Sequence, residues 1–353
     1  VKLNQLLRKF LVRCPWLFRA LNAWLPAPLL RVLRRLAEKL KYHDVSAVHD
    51  LPDICHYWSQ RHLLPLLREA GCEGQEDFFL QHIVRFRDHG QIRIVSLGSG
   101  NCEPDIRLVR SLLELGIEQL RYECIEFNGA MLERGREAAS RQSVAHLMQF
   151  TQADIACWQP QGSHEVVLVC QFLHHVPGLE ALFDKISSTL TDDGLLLVDD
   201  IIGRNGHMRW PEALVLVNQL WAELDAAHKF HHLHGQTNRE FLNWDCSLTG
   251  FEGIRAQDIL PLLLERFHFA SFLAFGNVID VFIERTYGPN FDINKPADLA
   301  FIDRVHALDQ ASIESGRIKP THMLAALCKS SPGHTRVIRH LTPEFCVRKL
   351  DQN

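Results

Sequence analysis

The chain has 353 residues, 46% hydrophobic and 23% charged, with a formal net charge of −4. That length suits one large domain with additions or two ordinary ones, the apolar content supports a sizeable core, and the charge gives no global reason to bind nucleic acid. Ten cysteines with no CxxC pair fit neither a structural zinc site nor a compact disulfide framework, so free thiols and a cytoplasmic setting are expected.

The first 41 residues carry ten lysines and arginines against one acid, Glu38. Leu3, Leu6, Leu7, Phe10 and Leu11 follow helical spacing, as do Leu29, Val32, Leu33, Leu36 and Leu40. Residues 1–43 therefore read as a basic amphipathic helical extension. Two readings stay open: helices packed on the body or on a second copy in a homodimer, or a peripheral anchor through residues 1–41 on an anionic membrane. No apolar run is long enough to span a bilayer.

From Ile92 onward, apolar runs alternate with helical patterns. The runs are "IRIVSL" (92–97), "RYECIEF" (121–127), "HLMQFT" (146–151), "EVVLVC" (165–170) and "LLLVDD" (195–200). Helical stretches such as "IRLVRSLLELG", "AMLERGREAAS" and "LEALFDKISSTL" separate them. This order predicts an α/β fold with a doubly wound, mostly parallel sheet. Residues 201–265 read as a mostly helical lid. "FHFASFLAF", "GN" and "VIDVFIER" (267–285) read as an antiparallel hairpin, which brings the sheet to seven strands. Residues 286–353 read as a helical C-terminal extension.

The first run opens into "GSGNCE" (98–103), a glycine turn that aims a helix N-terminus at a ligand. Cys102 and Glu103 stand where a pyrophosphate-binding loop needs other residues. A carboxylate such as Glu103 beside a phosphate is repulsive, whereas beside an ammonium or sulfonium it is not. The cluster His228, His231, His232 and His234 has no carboxylate or cysteine in register, so no metal is expected there.

Several stretches fall in a familiar order: "VSLGSGNCE", "YECIEFN", "QADI", "VVLVCQFLHHV" and "LTDDGLLLVDD". Over roughly residues 50–285 the chain resembles the class I S-adenosylmethionine-dependent methyltransferases, which have a Rossmann-like fold. Two departures are Ser96, where many members carry an acid, and Cys102, where many carry a third glycine. "DIIGRNGHMRWPEAL" and "NWDCSLTGFEGIRAQDILPLL" look like a bacterial subgroup often encoded beside glycan-assembly enzymes. The resemblance implies a methyltransferase domain over 44–285 with S-adenosyl-L-methionine as cofactor. It implies that Gly98, Ser99 and Gly100 cradle the methionine half, that Glu126 accepts the ribose hydroxyls, and that Phe127 and Met131 pack on adenine. Asp154, with Ile155, would meet the adenine amino group, and Gln171 would lie at the exit of the fourth strand. Tyr57, Trp58 and Arg61, in "HYWSQRH", would close the cofactor site from an N-terminal helix.

Methyl transfer to a hydroxyl needs alignment and a base. His174 and His175 after the fourth strand, and Asp199, Asp200 and His207 after the fifth, are the candidates. Arg204, Asn205, Trp210, Trp244 and Arg255 in the lid are the expected substrate contacts. No Asn/Asp-Pro-Pro-aromatic stretch follows the fourth strand; Gln171-Phe172-Leu173-His174 stands there, which argues against nucleic-acid acceptors. The expected reaction is methylation of an oxygen on a glycan intermediate or other small molecule. The alternatives are a metal-assisted O-methyltransferase of a small aromatic or natural product, a non-catalytic cofactor-binding scaffold, and a nicotinamide-dependent oxidoreductase.

Overall fold

The computed structural model describes residues 51–248 and 252–349, with Leu29 alone N-terminal to them. The basic extension over 1–43 otherwise lies outside the described residues, and so does the choice between anchor and packed helices. Among the described residues, no helix is long and apolar enough to cross a membrane.

Five parallel strands carry the centre: β1 Ile92–Leu97, β2 Leu120–Glu126, β3 Met148–Gln152, β4 His164–Cys170 and β5 Leu190–Ile201. Side chains alternate between the two faces of each strand. Val95, Leu97, Val167, Val169, Leu196 and Val198 enter one core. Ile94, Val166, Leu168, Leu195 and Leu197 enter the other. Both faces are covered by helices, which is why these strands read as nearly unbroken apolar runs. Each such buried side chain contributes roughly 1.5–3 kcal/mol.

Two short strands, β6 Phe230–His231 and β7 Gln236–Thr237, form a separate ribbon. β8 His268–Phe275, β9 His322–Cys328 and β10 Arg336–Val337 complete an eight-stranded sheet in the order β10-β8-β9-β5-β4-β1-β2-β3. β9 is antiparallel to both β5 and β8. The antiparallel pair expected at this edge is therefore present, but with a different second strand. "VIDVFIER" is not a strand; Asp280–Ile283 within it is helical. The partner of β8 is "HMLAALC", reached after a 19-residue helix, Pro296–Glu314. Residues 286–353 are thus no helical tail, because they supply β9 and β10 to the sheet. The eighth strand is the two-residue β10.

The Gly276-Asn277 turn explains the diversion. Instead of closing a hairpin, the backbone N–H groups of Asn277 and Val278 donate to the Asp309 carboxylate on the long helix, at 3.0 and 2.9 Å. The Thr321 N–H, just before β9, returns to the Gly276 carbonyl at 2.8 Å. Burial, with the nearby Asp280 charge, pushes Asp309 up to about 7. An acid raised this way favours the folded state while protonated, and that stability is lost as pH rises from its unfolded value of ~3.9 towards 7. Asp309→Asn keeps an oxygen acceptor without the charge. Relative to wild type, the variant should gain about 2–3 kcal/mol between pH 5 and pH 8, measured by urea unfolding at both pH values.

The 201–265 interval is only partly helical. Pro211–Glu223 and Ala256–Arg266 are helices, and 3₁₀ turns, loops and the small ribbon fill the rest. Ala256–Arg266 packs against the helix Leu179–Thr189 and β8, so it belongs to the layer covering the sheet rather than to a lid. At the N-terminal side, Asp53–Trp58 continues through a π-helical turn, Ser59–Leu63, into Leu64–Glu69. Pro65 lies just beyond that turn. A proline has no N–H for the α-helical bond and crowds the carbonyl four residues back, which the wider turn relieves.

Candidate active site

β1 and β4 are neighbours whose following helices leave to opposite faces, so a crevice opens beyond their carboxyl ends. A cavity of 1380 Å³ occupies it. A single small-ligand site takes about 300–1,000 Å³, so there is room for a cofactor and an acceptor together.

At one end lies the glycine loop. Gly98 has φ +71° and Gly100 φ +56°. A Cβ at Gly98 would lie 2.2 Å from the Phe172 ring, so both backbone conformation and close approach require glycine there. Cys102 caps the next helix at φ +59° and is fully buried. A Cβ at Gly135, on the helix Gly129–Arg141, would fall 2.9 Å from the Cys102 Sγ. Close packing at this loop is thus achieved by a glycine on the neighbouring helix, with Cys102 filling the contact.

Glu126 ends β2 and faces the loop. Its carboxylate accepts the N–H of Gly100 at 3.1 Å and that of Asn128 at 2.8 Å. Burial raises its pKa, while these backbone donors pull the other way. Phe127, Met131, Ile155 and Ala153 give the same end an apolar wall. Asp154 stands beside it, accepting the Ala156 N–H at 3.0 Å. Ser99, Gln171 and Glu103 also line the cavity. A carboxylate with spare lone pairs, a glycine-opened backbone and an apolar slot suit the ribose, methionine and adenine parts of S-adenosylmethionine.

The expected N-terminal contacts divide. Trp58 lines the cavity and donates its indole N–H to His306 Nδ1 at 3.3 Å. Tyr57 and Arg61 do not line it. The Tyr57 hydroxyl donates to Asp303 on the Pro296–Glu314 helix at 3.0 Å, and Arg61 is exposed. In its place Gln75 reaches the cavity, donating to Asp199.

At the other end, His174, His175, Asp199 and His207 line the cavity. Asp200 lies behind them, with no exposed surface. It accepts the N–H groups of Phe172 and Leu173 at 2.9 and 2.6 Å, and His174 Nδ1 at 2.6 Å. Burial alone would depress His174, but the Asp200 charge, aided by Glu252, overrides it and lifts the imidazole to about 10. Burial and the Asp200 charge push Asp199 up to about 7. Asp200 itself stays low despite burial, held by His174 and the backbone donors.

Glu252, in the covering segment, is not among the base candidates read from the sequence. Its Oε1 lies 3.3 Å from His174 Nε2 and 3.0 Å from His207 Nε2. Two loops are clamped to bring this about. Gly206 N–H donates to the Gly253 carbonyl at 2.8 Å, and Ile254 N–H to the His174 carbonyl at 2.9 Å. His207 holds the left-handed conformation at φ +54°, a sparsely populated state for a non-glycine residue that persists where the surroundings enforce it. Its Nδ1 is buried with no hydrogen-bond partner among the described residues.

None of the five expected substrate residues lines the cavity. Arg204 donates to the Arg209 carbonyl at 3.1 Å, and Asn205 is paired with Gln257. Trp210 lies under the Arg348 guanidinium and Trp244 against the His234 ring. Arg255 forms a bidentate pair with Glu180 at 2.7 and 2.8 Å and bonds Asp258 at 2.7 Å. These side chains hold the covering loops in place. The four-histidine cluster is likewise spent on packing: His231 and His234 stack at 3.9 Å, and His228 sits between Asp225 and Asp298.

Comparison with known proteins fits this geometry. Residues 95–196, from β1 into β5, match a family model described as a methyltransferase domain. No curated protein matches the sequence. The chain is similar in structure to the O-methyltransferase of a trans-AT polyketide synthase multienzyme from Brevibacillus brevis, solved with S-adenosyl-L-homocysteine, at 16% identity over 80% of each chain and TM-score 0.41. It is also similar to the geranyl diphosphate C-methyltransferase of Streptomyces coelicolor A3(2), at 13% identity over 72% of this chain and 78% of that one, TM-score 0.41. A third similar structure is the [4+2]-cyclase SpnF, at 14% identity over 70% and 81%, TM-score 0.38. These likenesses are of general layout, and a shared layout does not decide a reaction.

Proposed function

We propose that this protein, a methyltransferase that takes its methyl group from S-adenosyl-L-methionine, delivers it to an oxygen of a glycan intermediate or another small molecule. The observation that carries this reading is one continuous cavity with the glycine loop and Glu126 at one end and His174, His207 and Glu252 at the other. When bound, the cofactor supplies a methyl group made electrophilic by a positively charged sulfur.

The chain's own residues do the rest. Gly98, Gly100 and Glu126 fix the cofactor's position, and Trp58 with Phe172 walls the space beside it. Asp200 orients His174, whose Nε2 is thereby set against Glu252. Glu252 is the carboxylate of this cluster that faces the cavity, so it takes the acceptor's proton as the new C–O bond forms. The C–S bond breaks with its electron pair left on sulfur. The basic segment 1–41 gives the enzyme a positively charged handle for an anionic membrane, where lipid-linked acceptors would be found.

The test is incubation with methyl-labelled cofactor and panels of hydroxylated acceptors, glycan intermediates included. Label is expected on oxygen, and Glu252→Gln should lower kcat by roughly 10²–10⁴-fold. Label only on nitrogen or carbon, or cofactor binding without turnover of any acceptor, would overturn the reading; the latter is the behaviour of a scaffold.

A further inference from the structure

We propose that His174, His207 and Glu252 form a binding site for one divalent transition-metal ion of zinc-like preference, with its open position facing the acceptor end of the cavity. The use of that ion, to fix and polarise the acceptor's oxygen while the Glu252 oxygen that does not bind it takes the proton, rests on the oxygen-methylating reading above; its binding does not.

The donor set is the first argument. Two imidazole nitrogens and one carboxylate oxygen meet within 4.8 Å of one another. Four-coordinate ions with bonds of ~2.0–2.1 Å put their ligand atoms roughly 3.3 Å apart. The observed contacts to Glu252 Oε1 are 3.3 and 3.0 Å, so small side-chain adjustments suffice. Two histidines and one carboxylate with an open position select ions such as Zn²⁺, Co²⁺ or Fe²⁺ over Mg²⁺ or Ca²⁺, which prefer oxygen throughout.

The surroundings are the second argument. Metal-binding histidines commonly have their other ring nitrogen held by a carboxylate, which sets ring orientation and ligand strength. Asp200 does this to His174 Nδ1 at 2.6 Å, and is itself fixed by backbone donors. The backbone clamps between 206 and 253, and between 254 and 174, hold all three ligands in register before anything binds. His174 is 3% exposed, whereas His207 and Glu252 are each about a quarter exposed. The site is therefore closed from behind and open towards the cavity.

A second cluster, Cys102, Asp105 and Cys124, is the natural competitor. It is wholly buried beneath the glycine loop, Asp105 is already engaged by the Tyr122 hydroxyl at 2.7 Å, and Cys102 is packed on Gly135. It offers no open position.

The untagged full chain, stripped with a chelator, is titrated with Co²⁺ and followed by visible absorption, with S-adenosylhomocysteine binding measured in parallel by calorimetry. The expected result is one equivalent of cobalt with ligand-field bands of nitrogen and oxygen donors. His207→Ala and Glu252→Gln should each abolish stoichiometric uptake while S-adenosylhomocysteine binding persists, which also shows that the variants fold. Absence of stoichiometric uptake overturns the metal site, and if S-adenosylhomocysteine still binds, the methyltransferase reading stands without it. A sulfur-to-cobalt charge-transfer band would put the ion on a cysteine and overturn the proposal as well. Stoichiometric nitrogen- and oxygen-bound cobalt in a protein that binds no S-adenosylhomocysteine keeps the metal site and sinks the proposed function.

Discussion

Glu126→Ala is expected to weaken S-adenosylhomocysteine binding by at least a hundredfold in a calorimetric titration. In the proposed complex this carboxylate bonds both ribose hydroxyls, and hydrogen bonds to a charged group contribute roughly 1.5–3 kcal/mol each. Two of them correspond to about two to four decades in Kd. The side chain also accepts the N–H groups of Gly100 and Asn128, so the variant loosens the loop that faces the methionine end. Glu126→Gln separates the two effects. Its carbonyl oxygen can still serve one backbone donor, but its NH₂ faces donors where an acceptor is needed. Binding should fall in both variants, and thermal stability should fall mainly in the alanine. If Glu126→Ala binds as tightly as wild type, the ribose is not held at the end of β2 and the cofactor placement is wrong.

The second large effect is at Gly98. Gly98→Ala imposes a left-handed conformation on an alanine, at ~1–2 kcal/mol, and drives a methyl group into the Phe172 ring. Overpacking of this kind adds typically ~1–3 kcal/mol. The variant should lose about 2–5 kcal/mol of stability and its cofactor affinity, measured by urea unfolding and by calorimetry. Adding Phe172→Ala removes the clash and leaves the backbone strain. The double variant should therefore recover part of the stability; recovery of none would mean that the ring contact is unimportant.

These two positions show what a sequence makes visible. β1, β4 and the inner half of β5 were legible because a strand covered on both faces must be nearly apolar along its length. The place of Gly98, Gly100 and Glu126 on the cavity was legible because the loop and the strand end are local features. The β8 partner was not. "VIDVFIER" carries an alternating pattern and follows a Gly-Asn turn, yet Asp309, distant in sequence, captures the N–H groups of that turn and sends the chain into a helix. "HMLAALC" is a buried apolar run of the usual kind, but it sits in a stretch whose dominant pattern is helical.

The same division holds within the site. Tyr57 turns to Asp303 of the Pro296–Glu314 helix and Arg61 to the surface, while Trp58 meets both the cavity and His306 of that helix. Composition cannot choose between those directions without knowing that the later helix packs there. In the covering segment, residues chosen for their polar and aromatic chemistry turned out to brace the loops. Glu252 does not stand out as a base in the sequence because its importance comes from its place: a turn locked to Gly206 and His174 by backbone hydrogen bonds. Such locks join elements far apart in sequence and leave no periodic trace.

One cavity is expected to hold the methyl donor against the cluster of His174, His207 and Glu252. A crystal structure of the full chain with S-adenosylhomocysteine tests it most directly. The ribose is expected on Glu126, the methionine chain over Gly98 and Gly100, and the sulfur opening towards Glu252 with space between for an acceptor. A sulfur turned away from Glu252 and walled off from the rest of the cavity, or a ligand bound outside it, would separate the methyl donor from the cluster and rule out transfer there.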